Sequence, residues 1–147
     1  MPHSYSKNTI HLIFSTKNRL KTITPSFQYE LWNFSAGICK NENILVHAIG
    51  GIEDHIHLLL QIPATQTISH SVCTIKSNSS RFANRHKHPL EWQEGYAAFS
   101  VSASQIPTVT RYIRQQPTHH QKISFEQEFQ SLLAKHHITF DPRFVLG

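Results

Sequence analysis

Residues 44–62, ILVHAIGGIEDHIHLLLQI, decide the fold. Two runs rich in aliphatic residues, Ile44 to Ile49 and His55 to Ile62, flank the connection Gly50-Gly51-Ile52-Glu53-Asp54, and this pattern predicts an antiparallel β-hairpin. Successive side chains of a strand point to opposite faces, so Ile56, Leu58 and Leu60 share one face and His55, His57, Leu59 and Gln61 the other. The aliphatic face buries a core. The face with the histidines must meet a ligand or another element. Two imidazoles at i and i+2 on one face form a bidentate anchor for a divalent cation.

Upstream, Thr9 to Ser15 alternates with Ile10, Leu12 and Phe14 on one face, which predicts a first strand. Thr24-Pro25 reads as a helix start, and Phe27, Leu31, Phe34 and Ile38 follow as the buried stripe of an amphipathic helix. Downstream, Pro63 closes the hairpin strand, and Ile68, Val72, Ile75 and Phe82 predict a second helix from about Thr67 to Asn84. Its outer side carries Lys76, Ser80, Arg81 and Arg85. Ala97 to Val101 reads as a fourth strand. The order βαββαβ predicts an α+β, ferredoxin-like fold: a four-stranded antiparallel sheet with two helices on one face. Ser104 and Pro107 open a short third helix expected to hold Val109, Tyr112, Ile113 and Gln116. Ser124-Phe125-Glu126-Gln127 fits a capping box for a last helix through about His136, with Phe125, Phe129, Leu132 and Leu133 as its stripe.

With 147 residues and no linker, repeat or low-complexity tract, the chain reads as a single domain over 1–147. No stretch approaches the roughly 20 apolar residues of a membrane span, and MPHSYSKNTI lacks an apolar signal core, so a soluble, cytoplasmic protein is expected. Cys39 and Cys73 stand far apart in no CxxC spacing and read as reduced core thiols. Fourteen Lys and Arg against nine Asp and Glu give a net charge of +5, a balance that favours a polyanionic partner.

The basic residues fall in clusters containing Lys17 and Arg19, Lys76, Arg81 and Arg85, and Arg111 and Arg114. A solvated face is the default explanation of each; together they form a candidate track for backbone phosphates, with Phe, Tyr and Trp92 available to stack on unpaired bases. His86-Lys87-His88 reads as a solvated loop, and His119-His120 and His136-His137 as exposed or capping helix-end pairs. Tyr112 and Gln116 stand four apart, one helical turn from each other. Alone such a pair is ordinary surface chemistry. A cation held by two histidines, however, wants a further oxygen ligand, and a phenol is a competent nucleophile toward phosphorus once a cation lowers its pKa from about 10.

His-hydrophobic-His on a strand, followed by Tyr-x-x-x-Gln in a later helix, resembles the single-tyrosine HUH transposases of small bacterial insertion sequences, the IS200-like family. The likeness runs through HLIFSTKNR, GGIEDHIHLLLQIP, WQEGYAAFSVS and YIRQQPTHHQKISFEQEFQSLL. It implies that His55 and His57 bind a divalent metal, Mg2+ or Mn2+, that Gln116 is a third ligand, and that Tyr112 attacks a phosphodiester of single-stranded DNA to leave a 5′ phosphotyrosine. It further implies recognition of hairpin DNA, a homodimer whose tyrosine helix can act in trans, and association with the nucleoid. One departure is Pro117, which disfavours helical geometry at Gln116.

Besides a degenerate, inactive relative of such transposases, two other readings stay open. A non-catalytic ferredoxin-like nucleic-acid-binding protein is one, since Glu94-Gly95-Tyr96-Ala97-Ala98-Phe99 superficially resembles an RNP1 strand; that match lacks the leading basic residue. A metal-dependent phosphodiesterase using water is the other, and would not need Tyr112.

Overall fold

Alternating apolar residues build the four strands β1 (Asn8–Ser15), β2 (Leu45–Ile52), β3 (His55–Ile62) and β4 (Ala97–Ser100). A computed structural model describes residues 3–141 and Arg143. Within it the strands form one antiparallel sheet in the spatial order β2-β3-β1-β4. Helices α1 (Pro25–Asn41) and α2 (Ile68–Arg85) complete the βαββαβ order and pack on one face, so the expected ferredoxin-like architecture is present.

That face holds the larger core. Ile10, Leu12 and Phe14 of β1 and Ile56, Leu58, Leu60 and Ile62 of β3 meet Phe27, Leu31 and Ile38 of α1 and Val72 and Ile75 of α2. Full burial of each such side chain contributes about 1.5–3 kcal/mol. Proline at N1 starts α1, and the Thr67 hydroxyl caps α2 by accepting from the His70 amide at 3.0 Å.

The opposite face is roofed rather than open. Helix α3 (Ile106–Arg114) lays Ile113 on Ala48 and Leu59, while α5 (Phe125–Lys135) packs Phe125, Phe129 and Leu133 on Ile13, Ala97 and Phe99. The predicted capping box forms: Ser124 Oγ accepts from the Gln127 amide at 3.2 Å, and Gln127 Oε1 accepts from the Ser124 amide at 3.0 Å.

Four expectations are corrected. Strand β2 continues through Gly50 and Gly51 to Ile52, so only Glu53 and Asp54 form the hairpin turn; those glycines lie where other backbone comes close, and need no turn of their own. Gln116 lies outside α3, which ends at Arg114; Pro117 has no N–H to continue the ladder, and Gln116 opens a separate turn, α4 (Gln116–His119). Trp92 is not free to stack on bases: it is 8% exposed, packs edge-on against Phe14 and donates from Nε1 to Ser79 Oγ at 2.9 Å. Of the two thiols only Cys39 is in the core, Cys73 being exposed on α2.

Candidate functional site

The pleat of β3 places both imidazoles under the roof, and each is fully buried. His55 Nδ1 lies 2.8 Å from Asp54 Oδ1, and His57 Nδ1 lies 2.8 Å from Nε2 of His11 on neighbouring β1. With both Nδ1 atoms engaged, both Nε2 atoms turn toward one carboxylate: Glu128 Oε1 is 3.1 Å from His57 Nε2 and 3.5 Å from His55 Nε2.

Glu128, on α5, is the hub. Its Oε2 accepts from the Tyr112 hydroxyl and, at 2.9 Å, from Gln116 Nε2, while Oε1 also lies 3.1 Å from His120 Nε2. His119 Nε2 stands 3.3 Å from Oε2 without hydrogen-bond geometry. Gln116 spans the cluster, because its Oε1 is 2.9 Å from His55 Nε2.

Electrostatics follow from this packing. Burial alone would raise the Glu128 carboxyl, but hydrogen bonds from His120 and His57 hold it well below the usual range. Burial, and then the charge of Glu128, lift Tyr112 well above an ordinary phenol, so its proton stays on oxygen in this arrangement. Burial pushes His57 down to about 4, offset only in part by Glu128. For His120 the same carboxylate outweighs burial and raises the pKa.

His55, His57 and Glu128 can each offer a ligand atom, all within 4.8 Å of one another. The donor set suits a divalent cation: if His55 donates from Nδ1 to Asp54, its Nε2 lone pair faces Gln116 Oε1 and Glu128 Oε1, both acceptors. A second proton or a cation must supply positive charge between them. Two imidazoles and a carboxylate form a mixed nitrogen and oxygen donor set for a divalent cation, and the Asp54 and His11 contacts orient the rings as outer partners of ligating histidines do.

Of the residues expected from sequence, His55, His57, Tyr112 and Gln116 are brought together, the last despite the helix break. The basic residues are not. Lys17 and Arg19 occupy an exposed turn after β1, with Lys17 paired to Glu91 at 3.3 Å; Arg81 and Arg85 are exposed on α2, and Arg111 and Arg114 on α3. Lys76 is partly buried instead, its Nζ donating to the carbonyls of Gln93, Glu94 and Gly95.

Four contributors escaped the sequence reading, the first being His11, a polar residue on β1 beside His57. Glu128 sits at the i+3 position from Phe125 on the apolar stripe of α5, and an acid on a buried stripe was the available signal. Asp54 immediately precedes the histidine triplet. His120 is no exposed end group: its side chain is 3% exposed and bridges Glu128 to the Ile123 carbonyl.

Residues 4–116 match the family described as Transposase IS200 like. No curated protein matches the chain. Among solved structures, a protein from Deinococcus radiodurans R1 described as a candidate transposase is 22% identical with a TM-score of 0.62, covering 79% of this chain and 95% of that one. A REP-associated tyrosine transposase solved bound to a REP hairpin is 17% identical with a TM-score of 0.61, covering 84% of this chain and 74% of that one. At these identities both likenesses speak for the fold.

Proposed function

The chain belongs to the IS200-like transposase family, and from that premise we propose that it cleaves and rejoins single-stranded DNA through Tyr112. The observation that carries this reading is the convergence of the Tyr112 hydroxyl, His55, His57 and Gln116 on the single carboxylate of Glu128. His55, His57, Gln116 and Glu128 would hold a magnesium or manganese ion. Such an ion polarises a phosphoryl oxygen and offsets charge developing at phosphorus.

The protein's own part is nucleophile, orientation and proton transfer. Tyr112 Oη bonds to phosphorus while the bond from phosphorus to the 3′ oxygen breaks. The phenol proton leaves along its hydrogen bond to Glu128 and passes on to solvent, and the departing oxygen takes a proton from solvent to become a 3′ hydroxyl. The 5′ end then stays on Tyr112. Attack by another 3′ hydroxyl reverses these changes and frees the tyrosine, so the phosphodiester energy is retained and no ATP is consumed.

Hairpin DNA is the proposed substrate: the net charge of +5 favours a polyanion, and one structural neighbour was solved on a hairpin. Lys17, Arg19, Arg81, Arg85, Arg111 and Arg114 are the proposed phosphate contacts. A homodimer is the proposed assembly. The edge-on packing of Tyr112 over His57 of its own chain, ring centres 5.8 Å apart, supports a cis site. Exchange of helices between subunits is the alternative, and would let a mixture of Tyr112→Phe and His57→Ala chains regain activity.

The test is to incubate the protein with single-stranded hairpin oligonucleotides and magnesium or manganese and to look for a denaturation-resistant adduct. The adduct is expected to vanish in Tyr112→Phe and to weaken severely in His57→Ala. An adduct surviving Tyr112→Phe removes the nucleophile assignment. Hydrolysis without adduct points to a phosphodiesterase, and binding alone to a non-catalytic nucleic-acid-binding protein.

A further inference from the structure

The two histidines are gripped from behind in different ways. His55 Nδ1 meets the carboxylate of Asp54, which in its ionised form can only accept; His57 Nδ1 meets Nε2 of His11, an imidazole that can accept or donate according to its tautomer. Both contacts measure 2.8 Å. We propose that His11 is a positioning residue for His57, setting the rotation and tautomer with which its Nε2 faces the cation. The inference rests on the reading that His55 and His57 hold a metal ion.

Strand register makes the contact. His11 pairs with Leu59 across the β1–β3 ladder, so His57 is its diagonal neighbour on the same sheet face, within reach of a long ring. The rings lie 5.1 Å apart at 28°, and His11 is 4% exposed. It is boxed in by Phe99 and Tyr112, edge-on with ring centres at 6.3 and 6.1 Å. These two contacts hold the His11 ring, and with it the hydrogen bond that orients His57.

A ligating Nε2 carries no proton, so a cation-holding His57 has its proton on Nδ1 and needs an acceptor behind it. His11 Nε2 stands in that place at 2.8 Å, and His11 and Tyr112 also line one cavity of about 600 Å3.

Calorimetric titration of the metal-free protein with Mn2+ tests the assignment. His11→Phe keeps the packed ring and removes both hydrogen-bonding nitrogens, so the dissociation constant should rise about 10- to 100-fold, the usual effect of removing a ligand's outer partner. His11→Gln, whose amide can both donate and accept, should restore affinity to within a few fold. Equal Mn2+ affinity in wild type and His11→Phe overturns the proposal. Absence of Mn2+ binding by the wild type instead overturns the metal reading, and the His11 contact is then judged by ring-nitrogen NMR of the metal-free protein. There the His57 Nδ1 shift should move in His11→Phe, with thermal unfolding reported alongside; an unmoved shift sinks the contact. If His11→Phe does not fold, His11→Gln and His11→Ala carry the same comparison.

Discussion

Gly50 touches Ile113 so closely that a Cβ on the glycine would lie 2.5 Å from the Ile113 carbonyl oxygen and 3.0 Å from its side chain. Gly50 is also the cross-strand partner of His57, so this bare patch of β2 lets α3 settle beside the histidine and carries Tyr112 to it. Gly50→Ala should push α3 off the sheet, costing about 1–3 kcal/mol as overpacking does. Adduct formation should fall by more than the stability loss explains. Gly37→Ala is the control: nothing lies within 4 Å of that Cβ, and removing a helix glycine should stabilise α1 by about 0.5–1 kcal/mol. Denaturant midpoints and adduct yields for the pair decide it.

Lys76 and its neighbours on α2 should separate by experiment. Its ammonium donates to three carbonyls at 2.8, 3.2 and 2.7 Å and lies over the Phe14 ring at 5.2 Å. Lys76→Met removes those hydrogen bonds, one of them part-buried, and should cost about 0.5–1.5 kcal/mol of stability. Arg81→Ala and Arg85→Ala should leave stability within about 0.5 kcal/mol while weakening single-stranded DNA binding. Removing one neutralised phosphate lowers the slope of log affinity against log salt by about 0.7. Weaker binding by Lys76→Met at unchanged stability would contradict the structural role.

The metal-free protein should lose stability between pH 7 and pH 5. Burial depresses His57 to about 4, against 6.5 when unfolded, and depresses His11 as well. Across that window the unfolded chain binds protons that the native rings refuse, so stability falls with pH, His57 contributing at most about 3 kcal/mol. His120 acts oppositely: its raised pKa adds stability below 6.5 that is lost as pH rises through the folded value. Glu128, depressed below 4.5, adds its loss only in stronger acid. Thermal melts with chelator should show the decline, and His57→Asn should flatten it; a melting point that rises on acidification contradicts the assignment.

The two cysteines should react unequally. Burial pushes the Cys39 thiol up to about 12, which leaves almost no thiolate at neutral pH, whereas Cys73 is exposed on α2. Mass spectrometry after brief alkylation of the native protein should find the label on Cys73 alone. Labelling of Cys39 at a similar rate would show that α1 opens readily.

Much of the molecule follows from short-range pattern. Period-two alternation assigns Ile56, Leu58 and Leu60 to the core and His55 and His57 to one shared face, helical spacing places α1 and α2, and Ser124 and Gln127 announce the start of α5. These are properties of neighbouring residues, so they are legible one stretch at a time. The spacing of Tyr112 and Gln116 was equally visible, as was the disturbance that Pro117 brings to the helix at Gln116, but not that both side chains would still meet on Glu128.

Only tertiary structure decided what the histidines face. Strand register chose His11 as the partner of His57, and the docking of α5 through Phe125 and Phe129 brought Glu128 under the sheet, 71 residues from the histidine it touches. No local rule couples positions so distant, because register and helix docking minimise exposed apolar area over the whole chain. An acid on an apolar stripe signals that a residue is buried with partners. Which partners it finds depends on where the fold lays that stripe.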